Sequence, residues 1–300
     1  MEKMRFEEFT NAVVEKIREY LPENFANAQI ELNTVKKNND LKLTGLSIRT
    51  VDSNISPMIY LEQFFDKYQE GQEMSEVLKH IADARIQCEV KEAFDVGQIT
   101  DFTRVKDHIV PHLIGKAWNE ALLKERPHTV IADLAVTYHV LIGSSRDTTA
   151  SAVITNKMME MWDVTVEELH ELAIRNMTTL LPSEFVSMNE IMRRIMGDEA
   201  DEMLPVDGQM YVLSNSTKVH GASALLDKEI MDKVIDRIGD GFYVLPSSVH
   251  EVICLKMCEE ATPENLSAMV KDVNGSQVAR DEWLSDHAYR YTKATGLCVA

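Results

Sequence analysis

The chain has 300 residues, 45% of them hydrophobic, which is enough to form one extended domain or two domains of about 150 residues each. Its 49 acidic and 31 basic residues give a formal net charge of −18. Because affinity for a phosphate backbone comes mainly from lysine and arginine, this charge argues against nucleic acid and anionic membranes as partners.

The N-terminal region predicts an α-β-β-α-α order of elements. Apolar residues recur every three or four positions over residues 6–20, which is typical of one helix face. Alternating apolar residues on both sides of a polar turn at 38–40 predict a β-hairpin. Ser and Pro at the start of residues 56–71 predict a capped helix, and a second helix is predicted over residues 75–90.

The middle of the chain predicts a strand pair followed by helices. The pattern is weak over residues 95–126, and we assign no element there. Residues 130–142 form one apolar run that predicts a strand, and residues 150–155 predict a second strand after a polar loop. The capping pattern Ser/Thr-x-x-Glu then predicts helix starts at Thr165 and Ser187.

The C-terminal part predicts two further strand pairs, each followed by a helix. The acidic segment 197–205 is the predicted linker before them. Residues 210–226 predict two strands and a helix capped by Asp227, and residues 242–256 predict two strands around a tight polar turn. A helix over residues 262–275 is predicted to end at Asn-Gly, and the tail suggests closing strands.

Together these elements predict an α+β fold in which antiparallel hairpins are each followed by a covering helix. Such a ββα-like unit recurs four times, near residues 28–68, 130–177, 209–238 and 242–274. We expect three regions, which are an N-terminal α-β-β-α-α region at 1–100, a middle ββα region at 101–200 and a C-terminal ββα-ββα region at 206–300. In an alternative arrangement, the middle and C-terminal regions form one domain.

The cysteines and the N-terminus predict a cytoplasmic protein. The four cysteines lack disulfide-framework spacing, and the chain is far longer than the small domains that need one. The N-terminus has acidic residues where a signal peptide would have an apolar run. No apolar stretch approaches the roughly 20 residues that span a bilayer.

The densest cluster of catalytically competent side chains lies in the turn at residues 245–251. Ser248, His250 and Glu251, beside Ser247, offer a nucleophile, a base and an orienting acid, and they are the candidate catalytic residues. On a strand, however, Ser248 and His250 would stand roughly 6.5 to 7 Å apart, whereas a serine-histidine pair needs about 3.2 Å. The alternative is a structural turn whose serines bond the local backbone.

Two histidine patterns approach metal-binding spacing without satisfying it. His250 and Cys254 resemble the ends of an H-E-x-x-H zinc motif, but the β-branched residues between them predict a strand, which separates them by about 13 Å. His108 and His112 have helical spacing, and Pro111 between them argues against a regular helix. We therefore expect no metal site and no cofactor.

Two acidic residues near the strands are further candidates. Asp286 precedes His287 and could orient it, although adjacent residues of a strand point to opposite faces. Asp133 lies in an apolar run, where an unpaired carboxylate would be costly, and we expect it to bond the backbone of a neighbouring turn.

Several stretches carry a resemblance to a known family. They are D-L-A-V-T-Y (133–138), W-D-V-T-V-E-E-L-H-E-L-A-I-R-N (162–176), M-Y-V-L-S-N (210–215), H-G-A-S-A-L-L (220–226), L-P-S-S-V-H-E-V-I (245–253), V-N-G-S-Q-V (273–278) and L-S-D-H-A-Y-R-Y (284–291), with weaker similarity at 56–62. They resemble a bacterial family of unknown function related to the YtpQ-type proteins. The resemblance implies a cytosolic bacterial protein, and it implies no activity, cofactor or catalytic residue.

Three functional hypotheses follow. The leading one is a non-enzymatic module that acts by protein contact or regulation, with an exposed apolar or methionine-bearing patch that the 16 methionines could supply. The second is a hydrolase or transferase that uses Ser248, His250 and Glu251, helped by His220 or Asp286. The third is a small-ligand sensor with a closed apolar cavity. The protein partner and the oligomeric state stay open.

Overall fold

A computed structural model describes residues 3–51, 56–87, 99–144, 149–197, 210–258 and 261–300. It has the α+β fold of antiparallel sheets and helices that the sequence predicts. The chain divides into two compact units, Met1–Lys37 with Leu41–Gly97 and Asn38–Asp40 with Gln98–Ala300. None of the helices in the described ranges is both long and apolar enough to cross a bilayer.

The first unit combines helices with a three-stranded antiparallel sheet. Phe9 and Val13, one helical turn apart, are fully buried in one core with Leu46 and Ile48 of the sheet. The strands pair in the order β1-β2-β3. The elements are α1 (Phe6–Lys16), β1 (Gln29–Lys36), β2 (Lys42–Arg49), β3 (Met58–Tyr60), α2 (Glu62–Glu70) and α3 (Met74–Gln87).

The helix start predicted at Ser56 is wrong. The Ser56 hydroxyl bonds the backbone of Ile48, donating to its carbonyl at 3.0 Å and accepting from its N–H at 3.2 Å. Residues 58–60 then pair with β2, because this pairing satisfies backbone groups along the edge of that strand. The helix begins at Glu62 and ends, as predicted, at Gly71, whose φ of 114° suits glycine.

The described part of the second unit contains two antiparallel sheets. In one, β6 lies between β4 on one edge and β5 and β7 on the other. The other has the order β13-β12-β10-β11-β9-β8. The strands are β4 (Ile109–Gly115), β5 (His128–Ile131), β6 (Leu134–Ser144), β7 (Thr149–Val153), β8 (Ser183–Ser187), β9 (Met210–Asn215), β10 (Phe242–Pro246), β11 (Val252–Lys256), β12 (Tyr289–Thr292) and β13 (Gly296–Val299).

Helices of the second unit start where the sequence predicts caps. Thr165 and Glu168 form a reciprocal capping box, and the Ser187 hydroxyl accepts from the N–H of Glu190. Asp227 and Thr262 cap two further helices. The helices are α4 (Phe102–Val105), α5 (Glu120–Leu123), α6 (Asn156–Trp162), α7 (Val166–Leu180), α8 (Met188–Met196), α9 (Lys228–Ile238) and α10 (Pro263–Gln277).

Two strand predictions in the second unit are wrong. The run 130–142 is not one strand: it contains the tight turn between β5 and β6, where Ala132 has a φ of 52°. Residues 221–226 form a buried 3₁₀ helix, so the third predicted unit has one strand rather than two. The predicted linker 197–205 lies, apart from Gly197, outside the described residues.

Candidate functional site

The turn between β5 and β6 presents the Asp133 carboxylate to the segment before β12. The hydroxyl of Tyr289 donates to Oδ1 of Asp133 at 2.7 Å, and Nε2 of His287 lies 3.1 Å from Oδ2. Both carboxylate oxygens therefore contact side chains from the far end of the chain. The expectation that Asp133 bonds a neighbouring turn's backbone missed these two partners.

His287 lies between two carboxylates. Its Nδ1 is 3.1 Å from Oδ1 of Asp286, the preceding residue. The two side chains meet because residues 284–288 are not in a strand, so the opposite-face rule used for the sequence does not apply. The Ser285 hydroxyl holds this bend by accepting from the N–H of His287 and donating to its carbonyl.

The groups around Asp133 and His287 shift the pKa values of these two residues in opposite directions. Hydrogen bonding to Asp133 raises the pKa of His287, more than its partial burial lowers it. Burial alone would raise the pKa of Asp133, but hydrogen bonds from His287 and Tyr289 outweigh burial and hold that pKa below its ordinary value. At neutral pH, Asp133 is therefore a carboxylate, and its contact with His287 favours the charged form of that ring.

An open cleft of about 610 Å³ borders Asp133. A side pocket of about 80 Å³ shares Lys116, Ala117 and Asp133 with it and reaches Asp286 and His287. We call the larger space the Asp133 cleft, and its lining residues are Lys116, Ala117, Glu120, Leu123, Lys124, His128 and Asp133.

Gly115 permits the close packing behind this cleft. A Cβ atom at Gly115 would lie 2.7 Å from the carbonyl oxygen of Leu284 and 3.2 Å from the Trp118 ring. The backbone N–H of Lys116 also donates to the carbonyl of Asp133 at 3.2 Å. These contacts fix the position of the Lys116 turn relative to Asp133.

The three predicted catalytic residues share the turn between β10 and β11, but their side chains contact different groups. The oxygen of buried Ser248 accepts a 3.0 Å hydrogen bond from the backbone N–H of His250. The Nδ1 atom of His250 accepts from the backbone N–H of His220 at 3.0 Å, and its Nε2 lies 3.5 Å from Oε1 of Glu282. Glu251 lies 3.5 Å from the Ser247 hydroxyl. Catalysis at this turn stays a prediction that these contacts do not favour.

Four histidines meet between the two sheets of the second unit. The ring of His112 on β4 stacks on His139 of β6 and on His220, with ring centroids 3.8 Å apart in both pairs. The His250 ring follows at 5.5 Å from His220. We call His112, His139, His220 and His250 the histidine stack. Burial, followed by the neighbouring histidines and Arg126, holds the pKa of His112 well below its ordinary value.

The stack is not arranged as a set of metal ligands. Stacked rings hold their nitrogen lone pairs in parallel planes, whereas ligands of one metal point to a common centre. Across the described ranges, no group of three or more His, Cys, Asp or Glu residues is placed to hold a metal ion. Cys254 is buried on β11, and burial raises the pKa of its thiol to about 12.

The sequence indicated that Asp286 could orient His287, but it did not connect this pair with Asp133. The Asp133 cleft draws on residues 116–133 and, in its side pocket, on residues 284–287, so no local spacing could reveal it. One feature of the sequence could have indicated the turn: Asp133 is a charged residue inside an apolar run. Such a residue is expected in a tight turn rather than in the middle of a buried strand.

Comparison with known proteins identifies a family without a known activity. No curated protein and no solved structure gives a significant match to the chain. One family model, described as a family of unknown function (DUF5688), matches residues 6–293. Because this match covers nearly the whole sequence, the chain belongs to the DUF5688 family.

Proposed function

We propose that the chain is a non-enzymatic regulatory module that binds a small molecule in the Asp133 cleft. The observation that carries this proposal is a cleft of about 610 Å³ with a carboxylate held in place at its border. Ligand pockets typically measure about 300–1,000 Å³ and combine apolar lining with a few fixed polar groups. Here Ala117 and Leu123 supply apolar lining, and Asp133 is the fixed polar group. The cleft is open rather than the closed cavity expected of a ligand sensor.

The contacts of His287 favour binding over acid-base catalysis. A general base needs a ring nitrogen free to accept a proton from the substrate. Both nitrogens of His287 face carboxylates, at 3.1 Å from Asp133 and 3.1 Å from Asp286. The charge network therefore holds Asp133 in position and keeps it ionised, which suits recognition of a polar ligand group.

The test is a thermal-shift screen of the purified chain with amino acids, organic acids, sugars, nucleosides and sugar phosphates. A ligand at 100 times its Kd stabilises the folded state by about 2.7 kcal/mol, which corresponds to several degrees in Tm. We expect at least one compound to stabilise the wild type but not Ala117→Trp, which fills the cleft. The matched control is Ala268→Trp, an exposed alanine lining a separate pocket of about 350 Å³.

If no compound raises Tm, or if Ala117→Trp responds like the wild type, ligand binding at this cleft is contradicted. Ala268→Trp must keep the response, because its pocket includes none of the lining residues of the Asp133 cleft.

Protein contact is the second candidate function, and α8 is the surface that favours it. This helix is amphipathic, yet none of its residues is buried, and Ile195 is 74% exposed. Met188, Met192 and Met196 lie on the same short helix, as expected for the methionine-bearing patch. Ile195→Glu is therefore the variant that should abolish binding to a protein partner, and a complex that survives this change would contradict contact through α8.

We also propose, from the stretches quoted above, that the family is related to the YtpQ-type proteins and that this chain is bacterial and cytoplasmic. The acidic composition supports a cytoplasmic location, since net charge favours solubility. Fractionation of source cells checks the location: recovery of the protein in the membrane or secreted fraction would contradict it.

A further inference from the structure

We infer that the ligand of the Asp133 cleft is a small zwitterion of the amino-acid class, with one ammonium group, one carboxylate and an apolar side chain. This inference rests on the proposed function and specifies its ligand. Three features of the lining carry it: two lysines without ion-pair partners among the described residues, two acidic residues, and an apolar contact surface.

The anionic group of the ligand is assigned to Lys116 and Lys124. Both lysines line the cleft and are exposed. Lys3, Lys218 and Lys293 each bond a carboxylate or carbonyl oxygen, whereas within the described ranges neither cleft lysine has such a contact. Two ammonium groups at one cleft of a chain with net charge −18 create a local site for a carboxylate.

The cationic group of the ligand is assigned to Asp133 and Glu120. One oxygen of Asp133 contacts Tyr289 and the other contacts His287. Because a carboxylate can accept about four hydrogen bonds, Asp133 can accept further hydrogen bonds from a ligand. Its side chain is 46% exposed, so a ligand ammonium can reach it. Glu120 adds a second carboxylate at the start of α5.

The balance of charges distinguishes a zwitterion from a simple ion. The formal charges of Lys116, Lys124, Glu120 and Asp133 sum to zero. A simple anion would meet two carboxylates, and a simple cation would meet two ammonium groups, each with like-charge repulsion. Asp286 lies in the side pocket, where it contacts His287 at 3.1 Å. A ligand that carries both charges is complementary to both sets of side chains.

The test is isothermal titration of the full chain with leucine and three analogues. Leucine amide keeps the ammonium group alone, N-acetyl-leucine keeps the carboxylate alone, and N-acetyl-leucine amide keeps neither. We expect leucine to bind at least tenfold more tightly than each analogue, because a singly charged analogue leaves two lining charges without a partner and N-acetyl-leucine amide leaves all four. Equal affinity of leucine and a singly charged analogue would overturn the zwitterion, and so would the absence of binding by leucine.

Variants at exposed positions test which lining residue binds which charged group of the ligand, and they leave the Asp133 network in place. We expect Lys116→Gln to weaken the binding of leucine and N-acetyl-leucine severalfold but not the binding of leucine amide. We expect Glu120→Gln to weaken the binding of leucine and leucine amide but not the binding of N-acetyl-leucine. The matched control is Lys271→Gln, which lines the separate pocket with Ala268 and should change nothing. If both cleft variants leave leucine binding unchanged, the assignment of charges is overturned.

Failure of this inference is distinguishable from failure of the proposed function. A screen hit of another chemical class that Ala117→Trp abolishes would preserve ligand binding in the cleft while excluding the zwitterion. No hit of any class would overturn both.

Discussion

Protonation of His112 is unfavourable in the folded protein. His112 is only 2% exposed, and among the residues that the structure describes neither of its ring nitrogens has a hydrogen-bond partner. The groups that lower its pKa are His139, His220 and His250 of the stack and the Arg126 guanidinium, all of which disfavour a positive charge on His112. His112 is therefore neutral in the folded state, and the unfolded chain takes up the proton more readily.

This difference predicts an acid-sensitive second unit. Above pH of about 6.5, the ordinary value for an unfolded histidine, His112 is neutral in both states and contributes no pH dependence. As pH falls below that value, the unfolded state gains a proton that the folded state does not bind, and the free energy of unfolding falls by up to about 1.4 kcal/mol per pH unit for this residue. We expect His112→Phe to reduce this slope by that amount.

Urea unfolding followed by tryptophan fluorescence between pH 7 and 5 measures the slope. Trp118, Trp162 and Trp283 all belong to the second unit, so the signal reports on the part of the chain that contains the stack. The control is His108→Phe, because His108 is exposed. A His112→Phe slope equal to that of the wild type would show that His112 does not stay neutral.

Ser248 gives a second prediction at the level of single residues. Because its buried hydroxyl accepts the N–H of His250 at 3.0 Å, we expect Ser248→Ala to lower the free energy of unfolding by about 1 kcal/mol. Ser247→Ala is the control, since its longer contact of 3.5 Å with Glu251 should be worth little. If Ser248→Ala leaves stability unchanged but removes a measured hydrolase activity, the catalytic hypothesis for this turn gains support.

At the level of elements, two glycines in different helices should respond to alanine in opposite ways. A Cβ atom at Gly221 would lie 2.5 Å from the carbonyl oxygen of His250 and 2.7 Å from the nitrogen of Asn215, both backbone atoms. We therefore expect Gly221→Ala to destabilise the second unit by about 1–3 kcal/mol. Within the described part of the chain, nothing lies within 4 Å of a Cβ atom at Gly275, inside α10. Gly275→Ala should stabilise by up to about 1 kcal/mol, since alanine is the better helix former.

Urea unfolding of the two variants beside the wild type tests this prediction. If Gly221→Ala is as stable as the wild type, the 3₁₀ helix does not pack as tightly on β9 and the His250 turn as described.

Elements with local signals were predictable from the sequence, whereas elements determined by long-range contacts were not. The capping box at Thr165 is a local exchange of hydrogen bonds, so the helix start was predicted correctly. β4 was missed although it is fully buried, because Pro111 and His112 interrupt its apolar pattern. The end of α10 was placed too early, since the Asn274 side chain donates to the carbonyl of Ser285 and is not part of a helix cap.

At the level of the whole molecule, the α+β class was predictable because periodicity and turn residues determine it. The candidate site was not, because the Asp133 network joins positions far apart in the chain through side-chain contacts. The candidate Ser248 cluster is dense in the sequence, and Ser248 bonds within its own turn, whereas His250 contacts His220 and Glu282. Proximity in sequence therefore did not indicate which side chains contact each other, and the cleft depends on tertiary contacts.

Binding in the Asp133 cleft is the central claim, and NMR titration of the ¹⁵N-labelled chain with the screened compounds tests it most directly. Specific binding should shift the backbone amides of residues 115–124, 128–134 and 284–287 in a saturable manner, while the amides of α10 stay unchanged. Saturable shifts confined to other segments, or no shifts with any compound, would contradict the claim that this cleft is the functional site.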